Sequence, residues 1–445
     1  MNRDGAVHSL TGAGSLAAAL DSPSIGEEIY ALAAEIYPIC RSIAGPGVRQ
    51  TLAVLHKHAA IEVREVPTGT PILDWTTPKE WVIRDAYIKN TAGERVVDFN
   101  KNNLHVLNYS APFRGVLPLS ELKQSIFTLP DQPDLIPYRT SYYAERWGFC
   151  MSHNALSALP DGDYEAVVDS EIVDGALTYG EFVHTGETDA EFLLSVHICH
   201  PSLANDNCSG LALLTHLAKR FAGLKTRYTY RFLWTPGTIG GIAWLAQNEA
   251  AAKRIKHGLV LSCVGDGGAY TYKRTRRGDA PIDRVMARTL RGKARANVID
   301  FFPYGYDERQ YNSPGFALDV GLFQRSQFAT FPEYHTSGDN LDFISAEHLA
   351  ESYRAIIAAI DSLERDLRFI NLAPKGEPQL GRRGLYAAIG GDKDSYAKNM
   401  AMLWILNLSD GEHTLADIAE RSGAPLASIE ETARLLEQAG LLKAV

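Results

Sequence analysis

The sequence predicts an α/β fold: a mostly parallel sheet sandwiched by helices, with an inserted β-rich module and a C-terminal winged-helix-like domain. Three observations carry this expectation. From residue 151 to about 375, strand-like and helix-like stretches alternate, the order that builds parallel sheets covered on both faces. Residues 61–150 instead alternate β-branched or aromatic residues with polar ones, the period of half-buried strands. Residues 376–445 hold three helical stretches broken by turn signals.

Taken in chain order, residues 1–24, rich in Ala, Gly and Ser, read as a loose leader whose apolar stretch is too short for a signal peptide. Over 25–60, Ile29, Leu32, Ala33 and Ile36 recur at helical spacing, and a second helix follows the break RSIAGPG. This pair and residues 151–375 are expected to form one α/β domain, interrupted by the β module at 61–150. In that module EWVIRDAYIKN and NLHVLNYSA read as strands. The α/β strands are YEAVVDSEI, EFLLSVHI, TYRFLWT and GLVLSCVG; helices follow at SGLALLTHLAKRFAG, GGIAWLAQNEAAAKRI, PIDRVMARTLRGK and AEHLAESYRAIIAAIDSLERDL. The tail breaks at Asp410-Gly411 and at Gly423-Ala424-Pro425, and Leu441-Leu442 suits a wing strand.

The formal net charge is −9, which argues against nucleic acid or an anionic membrane as partner, since both are bound through surplus Lys and Arg. No apolar run reaches the ~18 residues of a membrane span. Cys40, Cys150, Cys199, Cys208 and Cys263 form no Cys-x-x-Cys pair, so reduced thiols in a cytoplasmic protein are expected. The last helix sets Glu430, Glu431 and Glu437 against Arg434. An acidic recognition helix does not sit among phosphates, so the tail is read as a docking element. A homo-oligomer would form through this tail or through the β module.

The stretch EFLLSVHICHPSLANDNCSG carries the chemistry. A strand ends in His197, His200 follows three residues later, and Asp206 lies just before a helix whose apolar face holds Leu211, Leu214, Leu217, Ala218 and Phe221. Imidazole and carboxylate are zinc ligands, and ligands of parallel sheets sit at strand carboxyl ends. A carboxylate there can bridge two metals, with a helix N-terminus steadying its charge. Taken singly, His197 can equally pack at a strand end and Asp206 can cap the helix. His335, flanked by Glu333 and Thr336 with Asp339 and Asp342 beyond, forms a second polar loop. Asp266 follows a buried strand. FPYGYDERQYNSPG gathers Tyr304, Tyr306, Asp307, Glu308, Arg309 and Tyr311, which suits either substrate recognition or a solvated charged loop.

Together these pieces resemble the co-catalytic zinc exopeptidases, the group that includes bacterial leucyl aminopeptidases and glutaminyl cyclases. The ordered matches are His197, Asp206-Asn207-Cys208-Ser209-Gly210, Asp266, and His335-Thr336 with Asp339. The chain is still more similar to a bacterial family with an aminopeptidase-like domain, through YPICRSIAGPGVRQTL, PKEWVIRDAYIKN, IPYRTSYYAERWGFC, HICHPSLANDNCSG, DERQYNSPG and EYHTSGDN. The resemblance implies one or two zinc ions held by His197, Asp206 and His335, with His200 and Asp266 as further ligands. It implies a metal-dependent amide or peptide hydrolase acting on a small peptide or aminoacyl-amide. Arg309, Tyr306 and Tyr311 would grip that substrate, a guanidinium matching a carboxylate at two points.

One departure stands out. In the family the turn after TYRFLWT reads Pro-Glu-Thr-Ile-Gly; here it reads Pro236-Gly237-Thr238-Ile239-Gly240. Glycine can neither bind a metal nor move a proton, so Glu308 or Glu333 is expected to serve as general base. The alternative is a catalytically degenerate binding or scaffold protein. Ser262 or Cys263 can also stand at the place of the later Asp instead of Asp266.

Overall fold

A computed structural model of the protein describes residues 15–385 and 393–445. Residues 1–14 of the expected leader lie outside the described residues; its remainder includes a short helix, Leu16–Leu20. The chain divides into two compact units, Leu20–Ala359 and a second made of Ile360–Val445 with the segment before Leu20.

The first unit is built on an eight-stranded sheet. Its strands lie in the order Glu62–Pro67, Ala176–His184, Thr229–Thr235, Glu191–His197, Ile255–Leu261, Val320–Gln324, Tyr270–Lys273, Ala296–Ile299. The four central strands are parallel. Glu191–His197 and Thr229–Thr235 are buried at every position, as expected where helices cover both faces. Helix Gly210–Phe221 buries ten of its twelve residues. No helix among the described residues is long and apolar enough to cross a membrane.

The inserted module is a four-stranded antiparallel sheet, ordered Arg95–Asp98, Glu80–Lys89, Asp163–Val173, Phe113–Pro118. Its limits differ from 61–150. Glu62–Pro67 joins the main sheet by pairing with Ala176–His184, whereas Asp163–Val173, read as a main-sheet strand, pairs with Glu80–Lys89 and Phe113–Pro118. Glu62–Pro67 buries only Val66 and Asp163–Val173 buries a run of its middle positions; periodicity states which residues are buried without stating which sheet buries them.

In the second unit, helices Lys393–Leu408, Leu415–Ser422 and Leu426–Gln438 pack with a three-stranded sheet of Asp410–Thr414, Arg368–Asn371 and Leu442–Ala444. This unit therefore takes in a strand upstream of residue 376. Asp410-Gly411, expected as a break, opens the strand that leads into the second helix. That helix starts with a capping box: Thr414 Oγ1 accepts from Asp417 N at 3.1 Å, and Asp417 Oδ2 accepts from Thr414 N at 3.2 Å. Thr414→Ala should cost this unit about 1 kcal/mol. Urea unfolding of the variant against the parent checks this; equal midpoints would refute it.

Candidate metal centre

Strand Glu191–His197 delivers its last residue to the carboxyl edge of the sheet, in register with Thr235. The strands that follow it in sequence lie on opposite sides of it, so a crevice opens at its end. Past His197 the chain passes Pro201 and Ser202, then runs through one irregular turn, Ala204–Ser209, into helix Gly210–Phe221. Asp206 sits in that turn, fully buried. The N–H groups of Asn205 and Asp206 donate to the two oxygens of Asp339 at 2.6 and 2.9 Å, which ties this turn to the loop carrying His335.

Three imidazoles converge on Asp206. His197 Nε2 lies 2.9 Å from Oδ1, His335 Nε2 3.1 Å from Oδ2, and His200 Nε2 3.8 Å from Oδ2. The hydroxyls of Tyr306 and Ser262 donate to Oδ1 at 3.2 and 3.3 Å. Tyr306 also stacks on His197, with centroids 4.6 Å apart, and Tyr334 stacks on His335 at 4.0 Å. Tyr138, on the chain inserted into the α/β domain, packs against both His200 and His335. That segment is strung to the histidine loop: Tyr138 N–H donates to His335 O at 2.7 Å, and Ser337 N–H to Ile136 O at 2.8 Å. His335 and Cys263 hold φ of +55° and +50°. That region costs an L-residue roughly 1–2 kcal/mol, a strain that collects at functional sites when the surroundings fix it.

Burial works against ionisation of Asp206, but the imidazoles of His200, His197 and His335 around it outweigh that cost. They hold its carboxyl well below the usual range. Burial drives His200 well below its ordinary value, so its ring stays neutral at pH 7 and keeps a lone pair for a metal. Burial also pushes Asp339 up to about 8, against the two N–H groups it accepts. His197 Nε2 is buried and, despite the 2.9 Å contact, makes no aligned hydrogen bond to Asp206. The two atoms are close enough to serve one cation. Ligand atoms of His197, His200 and Asp206 all lie within 4.8 Å of one another, with His335 on the far carboxylate oxygen. Two or three imidazoles with one carboxylate suit zinc.

The remaining predicted residues divide. Asp266 lies outside this ligand group; it accepts from Asn205 Nδ2 at 2.8 Å, Ser326 Oγ at 2.6 Å and Gly268 N at 2.6 Å, and so orients the neighbour of Asp206. Ser262, the alternative for that place, is the one that touches Asp206. Glu308 is engaged elsewhere: it is fully buried, with Lys273 Nζ at 2.6 Å, and burial raises its carboxyl even beside that cation. Tyr311 is a core residue, fully buried with its hydroxyl 3.0 Å from Ser195 Oγ, and offers no surface to a substrate. Arg309 is half-buried beside the exposed Tyr304 ring. Glu333 is half-buried on the loop before His335.

Asp307 is the carboxylate that sequence reasoning passed over as a base. It is fully buried; Oδ2 accepts from Thr235 Oγ1 at 2.9 Å, while Oδ1 has no hydrogen-bond partner. A Cβ on Gly237 would fall 2.9 Å from His197 Cβ and 3.6 Å from Asp307 Oδ1; one on Gly241 would fall 3.3 Å from the same oxygen. Asp307 Oδ1 thus lies beside Gly237 and Gly241, on the side of the His197 Cβ. Burial pushes its carboxyl up to about 7. The adjacent pair Asp307-Glu308 was the available signal, but sequence could not tell which member lies near His197 and which pairs with Lys273.

The family described as "Domain of unknown function (DUF4910)" matches residues 30–366, and a winged helix-turn-helix family matches 368–444. A Clostridium acetobutylicum protein is 49% identical over 426 residues, 96% of this chain and 98% of its own length. It bears the provisional name polysaccharide biosynthesis protein with aminopeptidase-like domain. The crystal structure of a provisionally assigned peptidase from Clostridium acetobutylicum, 49% identical, superposes with a TM-score of 0.86 over 94% of this chain and 96% of that one. BSAP, a zinc aminopeptidase from Bacillus subtilis, shares the fold at 12% identity, with a TM-score of 0.57 over 77% of this chain and 96% of its own. The chain therefore belongs to the DUF4910 family, with an aminopeptidase-like α/β fold and a winged helix-turn-helix domain at its C-terminus.

Proposed function

We propose that this protein is a metal-dependent amide hydrolase of the aminopeptidase type, acting on a small peptide or aminoacyl-amide. The observation that carries the reading is the convergence of His197, His200 and His335 on one buried carboxylate, Asp206. These four would hold zinc: one ion, or two with Asp206 between them. Zinc so held supplies a Lewis acid that polarises a carbonyl and acidifies water near neutral pH. Asp339 keeps the Asp206 turn fixed. Asp307 Oδ1, beside the place of the missing glutamate, would take the proton of the attacking water and return it to the leaving amine; Glu333 is the second candidate for that step. Substrate would enter over His335 and His200, whose side chains are 29% and 14% exposed against 1% for His197.

A second reading is a catalytically degenerate binding or scaffold protein that keeps one metal or none. It is favoured by Gly237 and by Ser262 beside Asp206, since both stand where the family resemblance calls for carboxylates. The described cysteines are free, which fits a cytoplasmic setting, and the winged helix is assigned to docking or self-association rather than to DNA.

Metal analysis of purified protein, together with a panel of aminoacyl amides, tests the reading. The panel should include amides of amino sugars, because the Clostridium relative is named for polysaccharide biosynthesis. Stoichiometric zinc and hydrolysis that His335→Ala abolishes are expected. Zinc without hydrolysis would favour the second reading, and absence of zinc would sink the hydrolase.

A further inference from the structure

The segment joining helices Ile25–Ile36 and Pro46–His56 supplies none of the proposed zinc donors, yet it carries Arg41, which is 1% exposed. A buried guanidinium is costly unless its N–H groups find acceptors. Arg41 finds neutral ones. Nε donates to His200 O at 2.6 Å; Nη2 donates to Pro201 O at 2.9 Å and to Cys208 Sγ at 3.1 Å. Nη1 donates to Ile36 O at 2.6 Å, where the first long helix ends, and to Thr51 Oγ1 at 3.3 Å on the second. Three of these five contacts lie on the loop 200–208, two before Asp206 and one after it. The main chain of Arg41 is fixed in turn: Asn108 Nδ2 donates to Arg41 O at 2.8 Å. Asn108 Oδ1 accepts from Ser42 Oγ and Tyr142 OH at 2.6 and 3.1 Å, and Tyr142 OH shares a hydrogen bond with Tyr138.

We propose that Arg41 is a positioning residue of the metal centre: it clamps both flanks of the 200–208 loop to the two helices, so that His200 and Asp206 face one point. It touches no ligand atom. The proposal rests on the metal reading above, but the clamp itself is a property of the metal-free chain. Partners that orient metal ligands are typically worth ~10–100-fold in affinity.

The experiment compares full-length parent, Arg41→Lys and Cys208→Ala. It measures zinc affinity by competition with a chromophoric chelator, amide hydrogen exchange over 198–208 in metal-free protein, and thermal melting as a check of folding. Arg41→Lys, which keeps the charge and loses the fork, should bind zinc ~10–100-fold more weakly and exchange faster over 198–208 while the second unit is unchanged. Cys208→Ala removes one contact and should shift both readouts the same way by a smaller factor; it decides the matter if Arg41→Lys does not fold. Parent-like zinc affinity and parent-like exchange in a folded variant would overturn the clamp. A parent that binds no zinc would instead remove the metal reading, and the exchange data alone would then decide on Arg41.

Discussion

Asp307→Asn is expected to lower the rate of amide hydrolysis by a factor of about 10²–10⁴ while zinc stays bound. The substitution keeps the size of the side chain and its contact with Thr235, and removes only the capacity of Oδ1 to hold a proton. Glu308→Gln should act differently, through stability, because its partner is Lys273 rather than the cleft. The pH profile gives a second check. Burial pushes the Asp307 carboxyl up to about 7, and a base works only when ionised, so kcat/KM should climb as pH rises through neutrality. A bound cation next to it would draw that limb lower. For stability the sign reverses. The native chain keeps a proton that the unfolded chain gives up above ~4, so this group's contribution is most favourable below that pH and declines as pH rises toward 7. Gly237→Glu is not a simple restoration here, since its Cβ would meet His197 Cβ at 2.9 Å; it should loosen zinc rather than add rate. Full activity in Asp307→Asn, with an unaltered pH profile, would transfer the role to Glu333.

Lys273→Met should destabilise the first unit by about 3–5 kcal/mol. Lys273 and Glu308 are both completely buried and 2.6 Å apart. Lys273 Nζ also donates to Phe302 O at 3.2 Å and Tyr304 O at 2.8 Å, and lies 4.2 Å from the Phe302 ring centroid. Removing the ammonium strands a carboxylate with no solvent to receive it, and unties two carbonyls of the loop that carries Tyr306 and Asp307. Removing both charges is milder, because apolar groups of similar volume often replace a buried pair at little cost. Lys273→Met/Glu308→Leu should therefore recover much of the loss. Chemical denaturation of the two variants and the parent reads this directly; a single variant as stable as the parent would show the pair to be dispensable.

How much of this was legible beforehand follows from what sequence encodes. The all-apolar strand ending in His197 and the amphipathic helix from Gly210 announce a parallel sheet and its carboxyl edge, because burial on both faces suppresses alternation. Glu62–Pro67 and Asp163–Val173 exchanged places between sheets because a strand's own residues do not name its pairing partner. Asp266 looked like a ligand by position, yet its oxygens are consumed by Asn205, Ser326 and Gly268. Tyr311 and Glu308 share one short helix, Glu308–Tyr311, and a charged loop in sequence does not disclose that these two turn inward. His200 and His197 could not be ranked by spacing; both reach Asp206. Arg41 was invisible as part of the site, since backbone carbonyls leave no mark in a sequence.

The hydrogen bonds between Ile136–Tyr138 and His335–Ser337 make the insertion a structural member of the centre. A late histidine held at positive φ needs a neighbour to keep it there, and that neighbour arrives from a stretch of chain nearly two hundred positions upstream. Excising the module would therefore free the loop that presents His335, one of the proposed zinc donors. A change in the insertion that breaks either bond would be felt at His335.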